Sequence, residues 1–360
     1  MPLVHTIAVI NQKGGVGKTT TVANLGAAIA ARGCRVCLID LDPQAHLTLH
    51  FNIEPGPKTL SVYDILSGRA GFGEACVKVD EHLTVVPSVI DLAAAEVELA
   101  GMVGREQILR DSMEAQPQPF QLAMIDCPPS LGLLTLNALA AADEVFIPLQ
   151  PHFLALQGLG KLLETVSLVQ RRINPNLRVG GVVLCLYETA TRLAAEVVAD
   201  LSGFFEANRG AKCPWADARI FSSVIRRNVK LAECPSHGMT IFQYDASSNG
   251  AADYKALADE FAEFYPHLVP PEPPKKSRPR PAAKAPAAGP GGYNPASPMP
   301  VVASAAHLPP AQPGPGATRN CAMPMAIVPP PRPQAGTRQI QPNAAMAPTI
   351  VPPPPEAVLL

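Results

Sequence analysis

Short apolar runs alternate with longer amphipathic segments along the first 265 residues. The short runs predict buried β-strands, and the segments between them repeat apolar residues every three or four positions, as helices do. Strands are predicted at residues 7–10, 35–40, 83–87, 121–126, 144–149 and 178–186, and helices at 59–66, 90–101, 105–112, 133–142, 154–172 and 190–207. This alternation predicts an α/β fold, a mostly parallel twisted sheet with helices on both faces.

The composition changes abruptly near Pro266. Residues 271–360 hold 25 of the 41 prolines and carry a net charge of +6, whereas residues 1–270 carry −7. A segment so poor in core-forming residues buries too little apolar surface to offset its ordering entropy. We therefore predict a folded domain over 1–266 and a Pro/Ala-rich, basic, disordered tail over 267–360. An imperfect repeat in this tail, 318–331 echoed by 337–354, is either a docking motif or drift in low-complexity sequence.

A glycine-rich stretch separates the first predicted strand from a helical pattern that begins near Lys18. Glycines allow successive backbone N–H groups to turn inward around an anion, and the following helix directs the positive end of its dipole at the same place. The lysine at the end of such a loop reaches the β- and γ-phosphates, and the next hydroxyl ligates Mg²⁺. The predicted nucleotide-binding residues are Lys13, Gly14, Gly15, Val16, Gly17, Lys18, Thr19 and Thr20.

Carboxylates follow two of the predicted strands. Asp40 and Asp42 come at the end of the strand at 35–40, and Asp126 ends the strand at 121–126. Carboxylates at the carboxyl ends of parallel strands face the ligand crevice of an open sheet. The sequence predicts Thr19 and Asp126 as magnesium ligands, and the resemblance described next adds Asp42 to this site, while Asp40 serves either the ligand or the structure of its loop.

Four segments together resemble the ParA/MinD family of P-loop ATPases over about residues 3–265. Residues 13–20 resemble its deviant Walker A loop, 40–44 its switch I, 126–129 its switch II, and 224–238 its ParA-type adenine loop. The resemblance implies ATP and Mg²⁺ as cofactors, Lys18 and Asp42 in catalysis, and Asn228 and Pro235 at the nucleotide base. It also implies an ATP-dependent homodimer in which Lys13 reaches the partner's nucleotide. Two positions depart from the pattern: Arg226 replaces the usual proline and Cys234 the usual alanine.

Basic residues scattered over the second half of the domain are candidates for contacts with DNA phosphates. No aromatic residues are interleaved with them, so nonspecific, salt-sensitive binding to duplex DNA is expected rather than sequence readout. The alternative is a solvated surface with incidental positive charge. The candidates are Arg192, Arg226, Arg227, Lys230 and Lys255.

The function that follows from the resemblance is an ATPase that partitions a chromosome, plasmid or protein cargo. Its hydrolysis would be slow and stimulated by a ParB-like or cargo-bound activator. The alternative is a MinD-like spatial regulator acting at a membrane or through a protein partner, although residues 352–360 do not form a basic amphipathic helix. A nitrogenase-type reductase and a metabolic kinase or synthetase fit less well, because neither cluster cysteines nor a substrate-binding insertion is evident.

The cellular location follows from the cysteines and the amino-terminal residues. Eight scattered cysteines lie mostly in apolar runs, as in proteins of a reducing compartment. Neither a signal peptide nor an apolar run of membrane-spanning length is visible. We expect a cytoplasmic, nucleoid-associated protein that does not bind membranes.

Overall fold

The computed structural model describes residues 4–56, 58–115, 119–152, 155–188 and 191–269. Within them, nine strands join into a sheet of order β3-β4-β2-β5-β1-β6-β7-β8, and β9 pairs with the far end of β7. The strands are β1 (His5–Val9), β2 (Val36–Asp40), β3 (Val77–Asp80), β4 (Leu83–Val86), β5 (Leu122–Asp126), β6 (Glu144–Leu149), β7 (Arg178–Tyr187), β8 (Arg219–Ile220) and β9 (Ile225–Arg226). Only β3 runs antiparallel, against β4, which confirms the predicted mostly parallel sheet.

Eleven α-helices of the described residues cover the sheet. They are α1 (Lys18–Ala30), α2 (His46–His50), α3 (Val62–Leu66), α4 (Leu92–Glu98), α5 (Ile108–Glu114), α6 (Leu133–Ala141), α7 (Ala155–Arg172), α8 (Arg192–Asn208), α9 (Val229–Glu233), α10 (Ile241–Tyr244) and α11 (Asn249–Phe264). Three 3₁₀ turns complete the described elements, at Phe72–Ala75, Leu99–Gly101 and Cys234–His237.

Successive residues of each central strand pack into two hydrophobic cores, one on each face of the sheet. In β1, Ile7 and Val9 pack with α1 and α11 on one face, whereas Ala8 packs with α6 and α7 on the other. This follows from the two-residue period of an extended chain. Both faces are buried, so the central strands are apolar almost throughout.

The predicted elements mostly match those observed, and the differences lie at their ends. The helix predicted over 59–66 begins only at Val62, because Ser61 and Asp64 form a capping box at its start. The helix predicted over 90–101 consists of α4 followed by a 3₁₀ turn. The first residues of two predicted helices, residue 154 of 154–172 and residue 190 of 190–207, lie outside the described residues.

The described residues continue past the predicted domain boundary at 266. Leu268 and Val269 are buried in the core that contains α1 and α11. The predicted tail lies outside the described residues from 270 onward, so its disorder and its repeat stay predictions. No helix in the described part of the chain is both long and apolar enough to cross a membrane.

Candidate nucleotide-binding site

A cavity of about 780 Å³ lies at the carboxyl ends of the parallel strands, where the crevice of an open α/β sheet is expected. The loop after β1, the segment after β2 and the segment after β9 form its walls. The residues from the predicted motifs that line it are Gly14, Gly15, Gly17, Lys18, Thr19, Thr20, Asp42, Asn228 and Pro235. The fold therefore brings together segments that are more than 200 residues apart.

The glycine-rich loop has the backbone geometry that an anion-binding loop needs. Gly15 and Gly17 have φ angles of 71° and 94°, in the left-handed region that favours glycine. Gly17 is the N-cap of α1, and among the described residues no side chain caps the N–H groups of the first turn of this helix. Lys18 is 7% exposed, and Val16 is buried beneath the loop. The loop thus offers backbone N–H groups and one lysine to an anion.

Thr19 and Asp126 connect the first turn of α1 to the end of β5. The Thr19 hydroxyl donates to Asp126 Oδ2 at 2.6 Å. Asp126 is fully buried, and its other oxygen, Oδ1, has no hydrogen-bond partner within the part of the chain that the structure describes. Burial and the nearby Asp40 raise the pKa of Asp126 well above its ordinary value. An unpartnered buried carboxylate oxygen beside a hydroxyl is an arrangement that suits a divalent cation.

The structure distinguishes the roles of Asp40 and Asp42. Asp40 is buried and accepts hydrogen bonds from the Thr48 N–H at 2.8 Å, the Thr48 hydroxyl at 2.6 Å and the Asp42 N–H at 3.2 Å. Burial nevertheless raises its pKa to about 7. Asp42 lines the cavity and accepts a hydrogen bond from the Gln44 N–H at 2.9 Å. Asp40 therefore holds the loop and α2 in place, while Asp42 faces the ligand space.

The wall opposite the glycine-rich loop contains the predicted base-side residues. Asn228 is the N-cap of α9, where its side chain accepts the Lys230 N–H at 2.8 Å, and it also lines the cavity. Its position is thus compatible both with a contact to the nucleotide base or ribose and with capping of α9. Pro235 lies beside it on the 3₁₀ turn Cys234–His237.

The side chain of Lys13 does not line this cavity. Its ammonium lies 2.5 Å from His152 Nε2 and 3.4 Å from Gln150 Oε1, just beyond the end of β6. Lys18 and Lys13, two lysines of one loop, therefore point to different places. The sequence alone did not show this difference in direction.

Several cavity residues were missed by the sequence analysis. His46 and His50 lie on the α2 helix that follows the Asp42 segment, and Cys185 and Tyr254 lie behind the glycine-rich loop. Burial lowers the pKa of His50 to about 4, so its ring is neutral at pH 7. The spacing of the two histidines, one helical turn apart directly after Asp42, was the available signal. Cys185 and Tyr254 left none, because they are distant in sequence.

Comparison with known proteins adds to this geometry. A family model described as an AAA domain matches residues 4–179. Sporulation initiation inhibitor protein Soj of Bacillus subtilis (strain 168) is 44% identical over 257 residues, which cover 71% of this chain and 97% of Soj. Chromosome partitioning protein ParA of Caulobacter vibrioides (strain NA1000 / CB15N) is 41% identical, with coverage of 71% and 93%. The chain belongs to the Soj/ParA family of partitioning ATPases.

A solved structure that the Soj/ParA chain resembles carries a different name. It is described as cobyrinic acid a,c-diamide synthase from Mycobacterium smegmatis with a bound ATP analogue and magnesium. The two chains are 36% identical, with a TM-score of 0.61, and the match covers 74% of this chain and 99% of the other. The likeness supports the mostly parallel sheet and its phosphate-binding loop.

Four of the five basic candidates of this Soj/ParA chain have acidic partners. Arg226 lines the nucleotide cavity and pairs with Asp253, whose side chain is 7% exposed. The other three pairs are Arg227 with Glu188, Lys230 with Glu233, and Lys255 with Asp259. Arg192 is exposed and has no acidic partner within the described part of the chain. The positive charge that the sequence predicted is thus largely balanced locally.

Proposed function

We propose that the protein binds ATP and Mg²⁺ in the cavity and hydrolyses ATP slowly to partition a chromosome, plasmid or protein cargo. The observation that carries this proposal is that the glycine-rich loop, Thr19 and Asp42 line one cavity, with Asp126 hydrogen-bonded to Thr19 behind it. The family relationship to Soj and ParA supports the same function. The ATP analogue and magnesium of the M. smegmatis structure support the choice of ligands.

Thr19, Asp126 and Asp42 are the residues that would hold Mg²⁺. All three supply oxygen atoms, which hard cations prefer, and the unpartnered Oδ1 of Asp126 leaves one buried acceptor for the ion or its water. When bound, Mg²⁺ would neutralise charge on the phosphate oxygens. The Thr19 hydroxyl would hold the ion through an oxygen lone pair and keep its hydrogen bond to Asp126, because that bond uses only the hydroxyl hydrogen.

The remaining catalytic work belongs to Lys18 and Asp42. Lys18, 7% exposed at the start of α1, would place its ammonium against the phosphates, where little water screens it. The Asp42 carboxylate is positioned by the hydrogen bond that its Oδ1 accepts from the Gln44 N–H. It would accept a hydrogen bond from the attacking water and so orient it. Orientation without a strong base agrees with a slow, partner-stimulated ATPase.

The Lys13 side chain supports a homodimer that forms with ATP. Because Lys13 is exposed and points away from the cavity of its own subunit, its ammonium is available to a second copy. We propose that each Lys13 contacts the phosphates bound by the other subunit. Asn228 and Pro235 would then contact the base or ribose within each subunit.

We further propose that the ATP-bound dimer binds duplex DNA nonspecifically and associates with the nucleoid in the cytoplasm. Arg192 is the strongest candidate for a phosphate contact, followed by Arg227, Lys230 and Lys255, whose acidic partners are solvent-accessible. Arg226 is a weaker candidate, since it lies in the cavity wall and pairs with the buried Asp253. A ParB-like or cargo-bound activator would stimulate hydrolysis and release the dimer from DNA.

The test is to measure ATP turnover and DNA association of the full chain with ATP, ADP and no nucleotide. We expect weak turnover and ATP-dependent binding to any duplex, which Asp42→Ala retains without hydrolysis. The result that would contradict the proposal is ATP-dependent recruitment to anionic liposomes with no binding to DNA. That result would support the MinD-like alternative.

A further inference from the structure

Lys13 makes a specific contact inside its own subunit. Its ammonium lies 2.5 Å from His152 Nε2 and 3.4 Å from Gln150 Oε1. Asn11 connects the same two segments, because it donates to the Pro148 carbonyl at 2.7 Å and accepts the Lys13 N–H at 3.0 Å. The loop entrance and the end of β6 are therefore held together through both backbone and side chains.

The chemistry of this contact requires a neutral histidine. A lysine ammonium has three donors and no acceptor, so Nε2 of His152 must accept and its proton must lie on Nδ1. Partial burial and the nearby charge of Lys13 lower the pKa of His152. Protonation of the ring would turn the acceptor into a donor and place two positive charges side by side.

We propose that Gln150 and His152 form a resting site for the Lys13 ammonium, and that release from this site precedes the contact of Lys13 with a second subunit's nucleotide. The resting site itself rests on the observed contact of Lys13 with His152 and Gln150. The release of Lys13 toward a second subunit rests on the proposed ATP-dependent dimer. Since one ammonium cannot occupy both sites fully, the resting site competes with dimer formation. Protonation of His152 therefore favours the dimer.

His152 is the group whose protonation should control the resting site of Lys13. Lys13, from the loop after β1, is the charged group that acts on His152 among the described residues, and Gln150, from the end of β6, is uncharged. The change in Lys13 engagement should therefore follow the protonation of His152 as the pH falls below 6.5. Asp42, Asp126 and Thr19, the proposed magnesium ligands, do not contact it.

The first test measures the resting site without nucleotide. The pKa of His152 is followed by NMR in the ¹³C-histidine-labelled full chain, with His152→Gln identifying its signal. We expect Lys13→Met to raise the pKa of His152, because the adjacent positive charge is removed. An unchanged pKa in Lys13→Met would overturn the resting site, whatever the fate of the dimer.

The second test measures dimer dissociation constants at pH 5.5 and pH 8, with Mg²⁺ and a nonhydrolysable ATP analogue at concentrations that saturate the nucleotide site at both pH values. We expect the wild-type dimer to tighten at pH 5.5 by up to about two- to tenfold for each of its two Lys13 contacts, the range that one net hydrogen bond produces. His152→Ala should be tight at both pH values, and His152→Gln, a nontitrating acceptor, should lack the pH response. His82→Gln, on the turn between β3 and β4, is the control and should keep it.

The outcomes separate the two proposals. If His152→Ala and His152→Gln keep the wild-type pH response, the release step is overturned while the dimer stands. If the wild type forms no dimer with the analogue, the release step and the proposed dimer both fall. The NMR titration then still decides whether Lys13 rests on His152.

Discussion

Thr19 donates its hydroxyl hydrogen to Oδ2 of Asp126 across 2.6 Å, although 107 residues separate them. The contact exists because β5 lies next to β1 in the sheet, with Val9 opposite Asp126, so the end of β5 meets the helix that follows the β1 loop. The two residues that are most clearly suited to a cation are thus in direct contact.

Removal of the Thr19 hydroxyl should destabilise the protein and weaken its use of Mg²⁺. Thr19→Ala leaves a buried carboxyl group without its donor, and we expect a loss of about 1–2 kcal/mol in the free energy of unfolding. Thr19→Ser keeps the hydroxyl and serves as the matched control. Urea denaturation, together with a Mg²⁺ titration of nucleotide binding, measures both effects. Equal behaviour of the Ala and Ser variants would contradict the assigned contact.

The buried carboxyl groups should make stability depend on pH. Folding raises the pKa of Asp40 from 3.8 to about 7 and raises that of Asp126 in the same direction. The stabilisation that these groups give the fold is fully present below their pKa in the unfolded chain. It is lost as the pH rises through their pKa in the folded protein. We expect the metal-free protein to lose stability between about pH 4 and pH 7, and Asp126→Asn to lose less. Thermal melts over this range test the difference.

Mg²⁺-nucleotide binding should have the opposite pH dependence. Mg²⁺ prefers ionised carboxylates, so affinity should increase as the pH rises and the buried carboxyl groups of Asp40 and Asp126, whose pKa values are both raised, lose their protons. Calorimetric titration at pH 6 and pH 8 measures this. An affinity that is equal at both pH values would show that these carboxyl groups are already ionised without the ion.

Substitution of the two loop lysines should separate nucleotide binding from dimer formation. Lys18 lines the cavity and Lys13 does not. Lys18→Ala should therefore lower the affinity of the monomer for ATP at least tenfold, the effect of losing a charge-assisted contact worth about 1.5–3 kcal/mol. Lys13→Ala should change this affinity little but abolish the ATP-dependent dimer. A fluorescent ATP analogue and light scattering provide the two measurements, and parallel losses would contradict the separation.

The Arg226–Asp253 pair should contribute more to structure than to DNA binding. Asp253 is 7% exposed and accepts from the Arg226 guanidinium and from the Arg226 N–H at 3.0 Å. Arg226→Ala removes the guanidinium but keeps the backbone donor, and we expect a cost of about 1–2 kcal/mol in the free energy of unfolding. The double variant with Asp253→Asn should cost less than the sum of the two single variants. Additive costs would show that the pair does not couple.

Among the basic residues, Arg192 should matter most for DNA. Because its charge is not balanced by a described acidic partner, Arg192→Ala should weaken duplex binding and lower the slope of log affinity against log salt by about one. Arg209→Ala is a suitable control, since Arg209 pairs with Glu206 on the protein surface. Fluorescence anisotropy at several salt concentrations compares them. Equal slopes for all variants would place the DNA-binding surface elsewhere.

The sequence by itself determined the parts of this protein that depend on neighbouring residues. The glycine-rich loop, the strand before it and the helix after it were predicted because backbone conformation at Gly15 and Gly17 is a local property. The mostly parallel sheet followed from the alternation of apolar runs with helical patterns. The carboxylates at the ends of β2 and β5 were also identified from their position after these strands.

Only the tertiary structure decided which side chains meet. Asp40 and Asp42 were both candidates, and the burial of Asp40 against Thr48 assigned it to the loop. Lys13 contacts His152, 139 residues away, and Arg226 contacts Asp253 on α11. These partners depend on strand order, on register and on how helices cross the sheet. A single sequence does not specify such long-range relationships through any local pattern.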